Sequence, residues 1–196
     1  MKKLFFVASM MMLSLGAFAQ HEVGTLTLQP KVGVNLASMT DTDDSSMRIG
    51  LVAGGEFEYQ ATNFLGVSAG MLYSMQGVKG DVAGGDLTIK TDYINIPVLA
   101  NIYVAKGLAL KVGIQPGFNV SGKYKASNNG VSISGDLSDI GTEVNSFDFA
   151  IPVGLSYEFN DFVIDGRYNI GMSKAIKDED TKHNVIQLTL GYKFAL

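Results

Sequence analysis

Cysteine is absent from the 196 residues. That excludes disulfides, thiol catalysis, thiolate metal sites and a lipid anchor carried on a cysteine, and it leaves the redox compartment unread. Histidine occurs only at His21 and His183, too few for a histidine metal cluster. Charged residues make up 17%, below the quarter typical of soluble domains. The formal charge of −4 becomes more negative once Lys2 and Lys3 are set aside, which gives no basis for a nucleic-acid partner. No apolar run reaches the ~20 residues that a spanning helix needs. What the chain does have is 23 glycines and an apolar–polar alternation that continues almost to its end.

The first residues read as an address. Met1-Lys2-Lys3 is a positive start, residues 4–15 are apolar apart from Ser9 and Ser14, and Ala17-Phe18-Ala19 is a small-x-small cleavage pattern. We expect residues 1–19 to be a signal peptide cleaved after Ala19, and residues 20–196 to form one domain. Export of this kind from a double-membraned bacterium leads to the periplasm, the outer membrane or the exterior.

Beyond that point the period is two, the signature of strands with one apolar and one polar face. Leu26, Leu28, Pro30, Val32, Val34 and Leu36 open the series. Seven further segments run from Ile49 to Tyr59, Leu65 to Met75, Ile94 to Val104, Leu108 to Val120, Phe147 to Phe159, Phe162 to Met172 and Ile186 to Leu196. The opposite phase holds Lys31, Arg48, Glu56, Glu58, Lys111, Asp148, Glu158, Asp165, Arg167 and Lys193. Each segment is roughly twelve residues, slightly more than the ~9–11 with which a tilted strand crosses a bilayer.

A soluble barrel places the apolar phase inside; a membrane barrel places it outside. Three features favour the second. Connections alternate between long polar ones (37–47, 77–86, 121–145, 174–184) and short ones (60–63, 105–106, 160–161), the pattern of outside loops and periplasmic turns. Tyr59, Tyr157, Phe159, Phe162, Tyr192 and Phe194 gather at the short-turn ends, where an interfacial aromatic girdle belongs. Thr189, Gly191, Phe194 and Leu196 stand at the spacing of the C-terminal signal read by barrel-assembly machinery. The expected fold is all-β: an eight-stranded antiparallel up-and-down transmembrane β-barrel, closed first strand to last because lipid leaves no backbone group unpaired. Its expected partners are outer-membrane lipid and, during insertion, the assembly machinery.

Two places depart from the plain pattern. Thr88, Lys90 and Asp92 precede Ile94 on the apolar phase, and Gly77, Lys79 and Asp81 follow Met75, so this hairpin is expected to leave the bilayer and turn near Gly84-Gly85. Residues 121–145 are open to the same reading, with Asn128-Asn129-Gly130 as the turn, or to that of a loop. Pro30, Pro97, Pro116 and Pro152 fall inside proposed strands, where a ladder donor is lost, so bulges or waters are expected near them.

The segment Asp92-Tyr93-Ile94-Asn95-Ile96-Pro97-Val98-Leu99 resembles the Tyr-x-x-Ile-Pro-Leu strand of the PorT-like outer-membrane β-barrel family of Bacteroidota. Lys31-Val32-Gly33-Val34-Asn35-Leu36 is similar to that family's first strand, and the stretch with Arg167-Tyr168-Asn169-Ile170-Gly171 to its penultimate one. His183-Asn184-Val185-Ile186-Gln187-Leu188 leading into Gly191-Tyr192-Lys193-Phe194 resembles its last. The resemblance implies an outer-membrane location and a single barrel. PorT itself is tied to protein secretion, but no residue here carries that role over.

Catalysis has thin support, and no enzyme activity, cofactor or metal is expected. His183 lies near Ser173, Asp178 and Asp180 in sequence, yet a solvated loop accounts for all four. Asp41, Asp43 and Asp44 lack the glycine and terminal glutamate of an EF-hand loop. Eight strands leave an interior just wide enough for side chains. Lys31, Lys111, Arg167 and Lys193 beside Glu56, Glu58, Asp148, Glu158 and Asp165 are therefore expected to form a paired plug rather than a diffusion channel. Three functional readings follow: a non-enzymatic barrel with a structural role, or one that binds an unidentified extracellular ligand or protein through its loops; a secretion-associated subunit; and a soluble periplasmic ligand-binding barrel with an apolar interior.

Overall fold

The computed structural model describes residues 21–39, 45–82, 85–128, 131–140, 144–174 and 181–196. The strands are β1 (Leu26–Met39), β2 (Ser45–Gln60), β3 (Leu65–Val82), β4 (Gly85–Asn95), β5 (Val98–Ala105), β6 (Leu108–Asn128), β7 (Val131–Asp136), β8 (Phe147–Phe159), β9 (Phe162–Gly171), β10 (His183–Tyr192) and β11 (Phe194–Ala195), with a 3-10 turn at Leu137–Ile140. All pairings are antiparallel. β1 pairs β2, β2 pairs β3, β3 pairs β4 and β5, and both of these pair β6. β6 then pairs β8, β8 pairs β9, β9 pairs β10, and β10 and β11 return to β1. β4 with β5 makes one wall strand and β10 with β11 another, so the ring is an eight-stranded up-and-down barrel without an open edge.

The short connections are built by their residue types. Asn160 and Asp161 both take positive φ, at 46° and 69°, the backbone of a two-residue hairpin that matches strand twist. Three of the four long polar connections are shortened by strand, as the hairpin expected after Met75 requires; the connection between β9 and β10 keeps its length. β3 and β4 continue to the pair Val82↔Gly85, and residues 83–84 lie outside the described residues. β6 and β7 pair from Lys123↔Asp136 to Asn128↔Val131, so much of residues 121–145 is hairpin rather than loop.

Of the bulges or waters expected near the prolines, the bulges do not occur at them. Register shifts fall between Met47 and Val52, Asp92 and Tyr93, and Tyr103 and Ala105, and none of these is at a proline. The ladder lapses without slipping: Leu72↔Asn95 and Ala69↔Val98 share one register on either side of Pro97, whose carbonyl still accepts from Gly70 N at 3.1 Å. Pro30 sits in the lapse between β10 and β11, where β1 pairing stops at Lys31↔Gly191 and resumes at Leu28↔Phe194. Proline's fixed φ suits extended chain, so each site loses a donor and not a residue. The shift in the β2–β3 pairing instead lies near Gly77, at φ 128°, where a Cβ would stand 2.1 Å from the Ile89 carbonyl oxygen.

Facing decides the character of the molecule. Ile49, Leu51, Met71, Ile114, Leu155 and Leu188 point outward and are exposed, whereas Lys31, Glu56, Lys111, Asp165 and Arg167 point inward and are buried. The wall is apolar outside and polar inside, the inverse of a soluble barrel. Above the ring the same strands reverse. Val78 on β3 and Leu137 after β7 are buried on the inner side, with Leu137 and Val144 packed over Gly122, while Lys79, Lys123 and Lys125 are exposed on the outer side. This upper part is arranged like a β-sheet in water.

Candidate functional site

The interior is where the chain concentrates its charge. Strand residues two apart share a face, so Asp165 and Arg167 of β9 enter the lumen together and meet Glu56 of β2, Lys31 of β1 and Lys111 of β6. Arg167 forks onto Glu56, with Nη1–Oε1 at 2.7 Å and Nη2–Oε2 at 2.8 Å, and donates to Asp165 from Nε at 2.8 Å and from Nη2 at 2.6 Å. Lys31 donates to Glu56 at 2.9 Å and to Asp165 at 3.2 Å, and Lys111 donates to Asp165 at 2.8 Å. Space for this comes from glycine: a Cβ at Gly70 would lie 2.5 Å from Glu56 Cγ.

A second tier lies nearer the short turns. Lys193 reaches Glu58 at 3.0 Å and Glu158 at 2.9 Å and donates to the Tyr103 hydroxyl at 2.9 Å, which itself donates to Glu58 at 2.5 Å. His21 Nε2 stands 2.9 Å from Glu158 Oε1. The central tier has three cations against two carboxylates and the lower tier one lysine against two carboxylates, so their formal surpluses are opposite. Charges this deep persist only when paired, and both tiers tie strands across the lumen.

Asp148 does not join either tier. It accepts from Ser173 Oγ at 2.5 Å near the long-loop end. Between it and the central tier lies a layer of buried amides that includes Asn35, Gln115, Asn169 and Gln187. Each has a side-chain atom without a hydrogen-bond partner among the described residues.

Two further expectations change. His183 is not in a solvated loop: it opens β10, is buried, and its ring stands edge-on to Tyr93 at 5.5 Å, with Nε2 3.4 Å from the hydroxyl. Ser173 turns to Asp148 rather than to a histidine. Asp178, Asp180, Asp41, Asp43 and Asp44 lie outside the described residues. Among the described residues no group of three or more His, Cys, Asp or Glu is placed to hold a metal.

At the short-turn end Tyr59, Tyr157, Phe159, Phe162 and Phe194 are exposed on the outer wall, and Tyr192 packs between Phe162 at 5.0 Å and Phe194 at 4.7 Å. In the terminal strand Thr189 faces inward and Phe194 and Leu196 outward, while Gly191 leaves room for Gln29. Sequence reasoning missed a second aromatic rung at the other end, Tyr73–Ile94–Phe118–Phe147, paired straight across four strands. Its signal was the position of Tyr73, Phe118 and Phe147 at the loop ends of their segments. Also missed were Val52, Leu72, Tyr93 and Leu99, buried inside on the polar phase.

The model of the outer membrane protein beta-barrel domain family matches residues 18–177. The chain is similar in structure to Ail, the attachment invasion locus protein of Yersinia pestis, at 19% identity and TM-score 0.52, covering 88% of this chain and 100% of that one. It is also similar to Neisserial surface protein A, at 12% identity and TM-score 0.50, covering 86% and 97%. At these identities the likeness speaks for the fold. A comparison with curated proteins found no match.

Proposed function

The chain belongs to the outer membrane protein beta-barrel domain family, and from that premise we propose that it is a non-enzymatic integral barrel of the outer membrane, closed along its axis, that acts through its outward extension and loops. The observation that carries this reading is the facing of the wall. Leu51, Met71, Leu155 and Leu188 are more than half exposed, while Glu56, Asp165 and Arg167 are at most 2% exposed. Water would make the first set costly, and lipid supplies the solvent it needs. The polar lumen argues against a soluble barrel for an apolar ligand.

In this reading residues 1–19 are a signal peptide removed after Ala19. Thr189, Gly191, Phe194 and Leu196 are read by the assembly machinery, and the exposed aromatics of the short-turn end anchor the periplasmic interface. Within the family we place the chain with PorT-like barrels of Bacteroidota, on the stretch from Asp92 to Leu99. No specific residue favours a part in secretion.

Cell fractionation tests the proposal. The protein should stay with the membrane through carbonate extraction, and its gel mobility should change on boiling, as a barrel held closed in detergent requires. Recovery in the soluble periplasmic fraction would overturn it.

A further inference from the structure

Lysines collect on one outward face just above the apolar wall. Thr88 of β4 is paired on one side with Lys79 of β3 and on the other with Lys125 of β6. One rung nearer the membrane, Lys90 of β4 is paired directly with Lys123 of β6. Directly opposite residues on antiparallel strands share a face, so all four ammonium groups are presented together. Lys79, Lys123 and Lys125 are exposed and Lys90 is half-buried. No ion pair joins any of the four to a carboxylate among the described residues. The acids on this face are Asp136, directly across from Lys123, Asp92, two residues from Lys90 and accepting from the Tyr73 hydroxyl at 2.8 Å, and Asp86 above.

Two facts set this patch apart from an ordinary solvated surface. Like charges placed directly opposite each other in a sheet are destabilising, and the Lys90–Lys123 pair carries that cost: Asp136 stands on the far side of Lys123, and no ion pair among the described residues offsets the repulsion. The patch also has a fixed height. The aromatic rung Tyr73–Ile94–Phe118–Phe147 lies on the same outer wall, and Lys90 is four residues beyond Ile94, about 13 Å along the strand. An aromatic rung marks the edge of the hydrocarbon, so the ammonium groups stand at the level of lipid headgroups on the long-loop side.

We propose that Lys79, Lys90, Lys123 and Lys125 form a binding surface for the phosphate groups of a phosphorylated glycolipid in the outer leaflet, that is, lipopolysaccharide packed against β3, β4 and β6. The lipid's acyl chains lie along the outward apolar residues below, and its phosphates neutralise the lysine rows above. This rests on the membrane reading given above.

The test uses purified full-length protein in non-ionic micelles, titrated with fluorescent lipopolysaccharide, with the same lipid after dephosphorylation, with inorganic phosphate and with soluble heparin. A lysine near a charged lipid surface contributes about fivefold in affinity, so K90Q/K123Q should bind phosphorylated lipid on the order of twentyfold more weakly. K90R/K123R should bind as the wild type does, and the dephosphorylated lipid should bind weakly to every form. Added salt should weaken binding to the wild type. Unchanged binding by the glutamine variant would overturn the proposal. So would displacement of the lipid by equimolar inorganic phosphate, or lysine dependence seen with heparin and not with the lipid. Heat-shifted gel mobility of each variant separates the two readings: its loss in the wild type overturns the membrane reading and this proposal with it, while its retention without lysine-dependent binding overturns this proposal alone.

Discussion

Asp165→Asn should be the most destabilising single charge change in the lumen, lowering stability by about 3–5 kcal/mol, the range for breaking a buried ion pair. Asp165 accepts from Lys31 at 3.2 Å, from Lys111 at 2.8 Å and from two nitrogens of Arg167 at 2.8 and 2.6 Å. Its side chain is 0% exposed, so no solvent can replace the lost charge. The variant leaves Lys31, Lys111 and Arg167 facing Glu56 alone. Arg167→Met also removes four hydrogen bonds but leaves two lysines with two carboxylates, so its cost should be smaller. Adding Lys111→Met to Asp165→Asn restores the original surplus of one cation and should recover part of the loss. Urea unfolding midpoints of the refolded variants decide the order. If Asp165→Asn unfolds like the wild type while Arg167→Met collapses, the arginine rather than the aspartate holds the tier together.

Leu188→Arg should destabilise the barrel in a bilayer by about 2–4 kcal/mol, the cost of a cation at the bilayer midplane on a lipid-facing strand. Leu188 is 53% exposed and pairs Val34 on one side and Gly166 on the other, midway along the closing strands. Ile133→Arg, at a residue 62% exposed on β7 above the ring, should change stability by no more than about 0.5 kcal/mol. The comparison depends on depth and not on chemistry, because both positions exchange an exposed apolar side chain for the same cation. Were the outer wall in water, the two substitutions would behave alike. Unfolding free energies in phosphatidylcholine vesicles measure the difference.

The period of two made the wall legible because a membrane barrel imposes alternation on every strand. Lys31, Glu56, Lys111, Asp165 and Arg167 are readable as lumen residues from phase alone. Their partners are not, because Arg167 meets Glu56 across 111 residues of sequence, and only the register around the ring brings them to one height. The same register explains why Asp148, of the same phase, stands apart beside Ser173. The extension beyond the apolar wall is visible because Thr88, Lys90 and Asp92 break the apolar phase. The apolar lining at Val52, Leu72 and Leu99 was not, since a narrow lumen fills gaps by shape and places no rule on hydropathy. His183 illustrates the limit: its neighbours in sequence are polar, and the fold nevertheless turns it inward against Tyr93.

The most direct test of the account is where Leu188 points. The chain has no tryptophan, so Leu188→Trp introduces a single reporter. Refolded into vesicles of phosphatidylcholine with brominated acyl chains, its fluorescence should be strongly quenched, and aqueous iodide should leave it nearly unchanged. Quenching by iodide with no response to the brominated chains would place this wall in water and contradict the assignment of the apolar face to lipid.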